Sequence, residues 1–119
     1  MTVKECYEML GGNYEEAKSR LMSDKLITKF IIKFLADPTM EQLRDAVKNN
    51  DHESSFRAAH TMKGVAANMA FSELQKNASE LTEQLRGNEE PADPSLVENV
   101  EHSYEKVVNT IKKFQEESA

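Results

Sequence analysis

Apolar residues recur three and four places apart along most of the chain, and that spacing restricts it to helices. Leu26, Ile27, Phe30, Ile31, Phe34 and Leu35 form one broad stripe, with Lys25, Thr28, Lys29 and Lys33 off it. Leu74, Ala78, Leu81 and Leu85 form a second, and Val97, Val100, Tyr104, Val107, Ile111 and Phe114 a third. No segment shows the alternation of a half-buried strand, and no Asn-Gly or Asp-Gly pair marks a hairpin turn. The expected fold class is all-α.

Caps and breakers divide the pattern. Thr2 with Glu5 makes a capping box that opens a short helix over 3–10, ended by Gly11-Gly12. Asn13 and Glu16 repeat the pattern for a helix carrying Tyr14, Ala17 and Leu21. Residues 14–36 contain no Gly or Pro, so this helix and the next read either as two or as one kinked near Ser23. Asp37 is the expected N-cap and Pro38 the first residue of a helix that buries Met40, Leu43, Ala46 and Val47. Asn49-Asn50 ends it, and Asp51 caps a helix placed at 51–69. Ser72 with Gln75 makes a further capping box for a helix that Gly87 closes. An acidic, proline-containing loop follows from Asn88 to Asp93, and Pro94 begins the last helix. Short connections favour antiparallel neighbours. An antiparallel four-helix bundle is therefore expected from 24–36, 51–69, 72–86 and 94–116, with additional short helices around it.

A chain of 119 residues can close a core without metal or disulfide staples, so residues 1–119 are expected to form a single domain. Its net charge of −6 argues against nucleic acid as a partner, which requires a basic face. Cys6 is the one cysteine, so no internal disulfide can form and a reducing compartment fits. No apolar run approaches the roughly 18 residues of a membrane span, and Met1 to Glu5 begin no signal peptide. No membrane partner and a cytoplasmic location are expected, and no heptad pattern is left over to demand more than a monomer.

One helical stretch differs from the rest. Ala58-Ala59-His60-Thr61-Met62-Lys63-Gly64-Val65-Ala66-Ala67-Asn68 carries a histidine among cations and small residues. At about 100° per residue, Met62, Val65, Ala66 and Met69 lie opposite His60, while Glu53, Arg57, Gly64 and Ala67 share its side. The imidazole therefore faces outward. Arg57 stands one turn below it and Lys63 and Gly64 one turn above, an arrangement suited to a visiting anion.

Elimination narrows the chemistry. A helical metal site needs a second ligand three or four residues away, and Phe56, Arg57, Lys63 and Gly64 hold those places, so no metal is expected. A general base needs a Ser, Cys or Thr nucleophile in reach, and the nearest hydroxyl in sequence, Thr61, points about 100° away. No Gly-rich nucleotide loop or Mg²⁺-binding carboxylate cluster accompanies His60, so no cofactor is expected. His60 itself is left as the nucleophile, attacking phosphorus through a neutral ring nitrogen. Lys63 can hold a phosphoryl oxygen. Gly64 clears space over the ring for another protein's backbone, which accounts for a mid-helix glycine that costs roughly 1 kcal/mol against alanine.

The longer stretch from Ala59 to Leu74, Ala-His-Thr-Met-Lys-Gly-Val-Ala-Ala-Asn-Met-Ala-Phe-Ser-Glu-Leu, closely resembles the His-x-Leu-Lys-Gly signature of histidine-containing phosphotransfer (HPt) domains. Leu10-Gly11-Gly12-Asn13, followed by Leu26, Phe30 and Phe34, is similar to that family's Gly-Gly-Asp start and first bundle helix. The resemblance covers roughly residues 3–86, with the last helix matching in pattern alone. Met62 replaces the usual leucine, and Ala70 stands where the family usually has glycine, at the turn out of the histidine helix. If that turn needs φ > 0, Ala70 carries about 1 kcal/mol of strain.

The resemblance implies a two-component phosphorelay intermediate without a kinase domain. Nε2 of His60 would be phosphorylated, Lys63 would steady the phosphoryl oxygens, and Gly64 would admit the partner. That partner would be a response-regulator receiver domain or a hybrid sensor histidine kinase, with the Mg²⁺ on the receiver. It also implies a polar side chain at Thr82, hydrogen-bonded to the non-reacting ring nitrogen. In an antiparallel hairpin turning at Ala70, His60 stands level with about residue 80, and Ser79 and Thr82 flank that level. Arg57, Ala67 and Phe56 complete the surface around the ring, and the first helix, through Tyr7, Met9 and Leu10, either extends it or caps the core. The alternative is a non-catalytic helical adaptor whose surface histidine is incidental.

Overall fold

The computed structural model describes residues 1–118. Seven α-helices and no strand occur among them: α1 Val3–Leu10, α2 Tyr14–Leu21, α3 Asp24–Phe34, α4 Thr39–Lys48, α5 His52–Asn68, α6 Ser72–Leu85 and α7 Pro94–Ser118. The all-α reading holds.

Most helix starts follow the sequence. The Thr2–Glu5 capping box is present in both directions, Asn13 accepts a hydrogen bond from the Glu16 N–H, and Asp51 accepts one from that of Ser54. Asp37 accepts the Thr39 N–H at 2.8 Å, as a capping side chain does, although α4 begins at Thr39 with Pro38 in the cap position rather than at Pro38. Residues 14–36 are two helices and not one: Met22 adopts φ +74° and Ser23 caps α3 by accepting the Leu26 N–H. The expected Ser72–Gln75 box does not form. Ser72 is already helical, and the Glu73 N–H is satisfied from outside by the Gly11 carbonyl at 2.9 Å.

The main pairings are α5 with α6, α4 with α5, α6 with α7, and α1 with α7. Thus α4, expected among the flanking helices, lies along α5, and a bidentate Arg44–Glu101 contact ties it to α7. Meanwhile α3 reaches the core through Phe34, whose ring centroid is 5.2 Å from Phe71 and 5.9 Å from Tyr104. Its stripe is too broad to bury whole: Ile27, Ile31 and Phe34 are closed off, but Leu26 and Phe30 are 41% and 37% exposed. One apolar core runs from Val3 to Phe114.

The N-terminal segment fixes the turn between α5 and α6. Tyr7 donates its hydroxyl to the Met69 carbonyl at 2.8 Å, and the Asn13 N–H donates to the Ala70 carbonyl at 2.9 Å. Gly12 permits this approach, since a Cβ there would stand 2.8 Å from the Ala70 oxygen. Ala70 itself is buried at φ +57°, the left-handed region that disfavours any residue with a Cβ. Ala70→Gly should therefore raise unfolding stability by up to about 1 kcal/mol. Urea unfolding tests this; a clear loss of stability would mean that the buried methyl outweighs the strain.

Candidate functional site

His60 sits near the middle of α5 with its ring exposed, while Met62 and Ala66 on the opposite side are fully buried and Met69 nearly so. Met62, Ala66 and Met69 thus face the core as expected while Val65 is only half-buried, and the helix is held between α4 and α6. A Cβ added at Gly64 would meet nothing within 4 Å, so the backbone one turn beyond the histidine is open to an approaching molecule. Ala67 continues this face, half-buried, and its carbonyl accepts a hydrogen bond from the Arg20 guanidinium of α2.

The ring has defined neighbours. Phe56, one turn back, lies 6.0 Å from it between centroids at 33°. The Arg86 guanidinium covers Phe56 at 5.2 Å and pairs with Glu83 at 3.1 Å. Arg57 pairs with Glu53 at 2.8 Å. Glu53, Phe56, Arg57, His60, Thr61 and Arg86 line an open cavity of about 460 Å³, ample for a phosphoryl group. The hydrogen bond from Arg86 holds the Glu83 carboxyl below its ordinary range, and the charges of Arg86, Lys63 and His60 add to that. Among the described residues, no group of three His, Cys, Asp or Glu is placed to hold a metal ion.

The family model described as the Hpt domain matches residues 33–110, which is more than half of the chain and includes α4, α5, α6 and most of α7. The chain belongs to the Hpt domain family. Such domains serve in histidine phosphotransfer within phosphorelays. Neither the comparison with curated proteins nor that with solved structures gives a match.

One site expectation fails against this Hpt geometry. Thr82 does not face the imidazole: it is fully buried and donates its hydroxyl to the Ala78 carbonyl at 2.7 Å. Its place explains why, because it stands four residues after Ala78 and eight after Leu74, on the core stripe of α6. The exposed neighbours of His60 from α6 and its cap are instead Glu83 and Arg86. Both were within reach of the register argument, lying one and two turns beyond residue 80.

Of the two readings of α1 the core cap holds, and α1 does not extend the surface around His60. Tyr7 and Leu10 are fully buried and Tyr7 is tied to the C-terminal end of α5, which leaves Met9 alone exposed. The other exposed large apolar residues lie on α2's end and α3: Met22 at 77%, with Leu26 and Phe30. Beside them Lys25, Lys29 and Lys33 are exposed at four-residue spacing. A groove lined by Phe30, Lys33, Phe34, Val65 and Met69 joins this face to α5.

Proposed function

We propose that this chain is a phosphorelay intermediate that takes a phosphoryl group onto His60 from the phospho-aspartate of one receiver domain and passes it to the aspartate of another. A receiver within a hybrid sensor histidine kinase can stand on the donor side. The observation that carries the reading is an exposed histidine on a firmly packed helix, with Lys63 and an unobstructed Gly64 one turn on, inside the family match.

The reaction follows from these groups. The lone pair of a neutral ring nitrogen, Nε2 by the family pattern, attacks phosphorus in line. The N–P bond forms as the acyl-phosphate O–P bond breaks, its electron pair returns to the receiver's carboxylate, and the proton on the other ring nitrogen stays in place. Transfer onward is the reverse on a second aspartate. Lys63 compensates the charge on the transferring oxygens, and Arg57 lies on the same side. The receiver brings the aspartate and its Mg²⁺. The chain acts as carrier and not as an enzyme, as a monomer and in the cytoplasm, where receivers work. Residues 1–119 act as one unit, supported by the way the segment before the family match clamps the α5–α6 turn.

Docking uses the face that runs from Gly64 past Ala67 to Met22, Leu26 and Phe30. The Leu26→Ala/Phe30→Ala pair should weaken receiver binding about tenfold with little loss of thermal stability, since both side chains are partly exposed. Calorimetric titration with a receiver, beside a melting curve, reads both; unchanged affinity would remove α3 from the interface. For the relay itself, the phosphoryl-loaded chain is freed of donor and given a second receiver. Label should move to that receiver, and release solely as inorganic phosphate would contradict the reading.

A further inference from the structure

Two ion pairs flank His60, and in each the cation is held by a carboxylate close to it in sequence. Arg57 is held by Glu53 at 2.8 Å, and Arg86 by Glu83 at 3.1 Å. All four side chains are exposed, so these pairs are weak and exchange readily. They differ in placement. Arg86 caps the C-terminus of α6 and lies over the Phe56 ring, which in turn lies against His60, and it shares the cavity around the imidazole. Glu83, its anion, is also the carboxylate that feels the charges of Lys63 and His60. A phosphoryl group placed on His60 brings up to about two negative charges and three acceptor oxygens into that field. Glu83 then competes with it for the same guanidinium.

The geometry points to Glu83 as a positioning residue that sets how long a phosphoryl group stays on His60, by holding Arg86 away from the phosphoryl oxygens. This rests on the reading of His60 as the phosphoacceptor. No covalent bond changes in the step. Arg86 exchanges a carboxylate oxygen for a phosphoryl oxygen, which its planar fork suits equally well. The stack on Phe56 keeps the guanidinium close to the ring during that exchange. Since Glu83 acts through Arg86, its influence should vanish when Arg86 is gone.

The test uses the intact protein and phosphoramidate, a small donor that loads histidine without any receiver, with His60→Gln as the blank. After removal of the donor, the decay of label is followed. Glu83→Gln should lengthen the half-life about threefold, Arg86→Gln should shorten it, and Arg86→Lys should keep part of the wild-type lifetime. Glu83→Gln added to Arg86→Gln should change nothing. An unaltered half-life in Glu83→Gln, or the same lengthening with Arg86 absent, would overturn the proposal. Equal label in the His60→Gln blank would instead overturn the proposed function beneath it.

Discussion

His60→Gln should take up no phosphoryl group from a phosphorylated receiver, its labelling falling to background while its helical circular dichroism stays that of the parent. The side chain is exposed and, among the described residues, makes no structural hydrogen bond, so its replacement costs the fold little. The two other histidines offer no substitute. His52 is half-buried with its Nε2 3.3 Å from the Asn88 side chain, and His102 stands beside Glu98 at 3.8 Å. Neither has a lysine and an open glycine one turn on. Timed radiolabel transfer from one receiver, run on both proteins, measures this. Substantial label on the variant would mean that the phosphoryl group resides elsewhere.

Gly64→Gln should move stability and function in opposite directions. With open space at the added Cβ and a better helix former in a helix interior, stability should rise by up to about 1 kcal/mol. Transfer should nevertheless fall by about a hundredfold, because the new side chain stands where the receiver's backbone must come close and a misplacement of about 1 Å is that costly. Denaturant unfolding and the transfer rate, measured on one preparation, separate a steric block from a folding defect. A normal transfer rate would remove the close-approach role of Gly64.

The outward face of α5 was legible in the sequence because it depends on one period and one helix: His60, Gly64 and Ala67 share a side, with Met62 and Ala66 in the core behind them. What failed needed a second helix's rotation. Residue 80 gave the right level on α6, yet which side chain turns toward His60 is fixed by the core stripe Leu74, Ala78, Leu81 and Leu85, and that stripe carries Thr82 inward and leaves Glu83 outside. Reading Thr82 against its neighbour Ala78 would have shown this. The break at Met22 had no glycine to announce it, since a methionine at φ +74° is a local cost carried by the Ser23 cap and the packing of α3. Likewise Ser72 looked like a cap because its type and spacing fit, but the carbonyl that caps α6 comes from Gly11, some sixty residues earlier in the chain. The apolar stripe of α3 marked burial correctly on one flank. Its other flank, Leu26 and Phe30, is left outside because α4 and not α3 takes the place along α5.

The most direct test of the account is where the phosphoryl group goes. The chain is loaded from a phosphorylated receiver, kept at alkaline pH where phosphohistidine survives, and fragmented by electron transfer in a mass spectrometer. The account predicts one phosphoryl group, on His60. The same mass increment on His52, on His102 or on a carboxylate or hydroxyl side chain would contradict it.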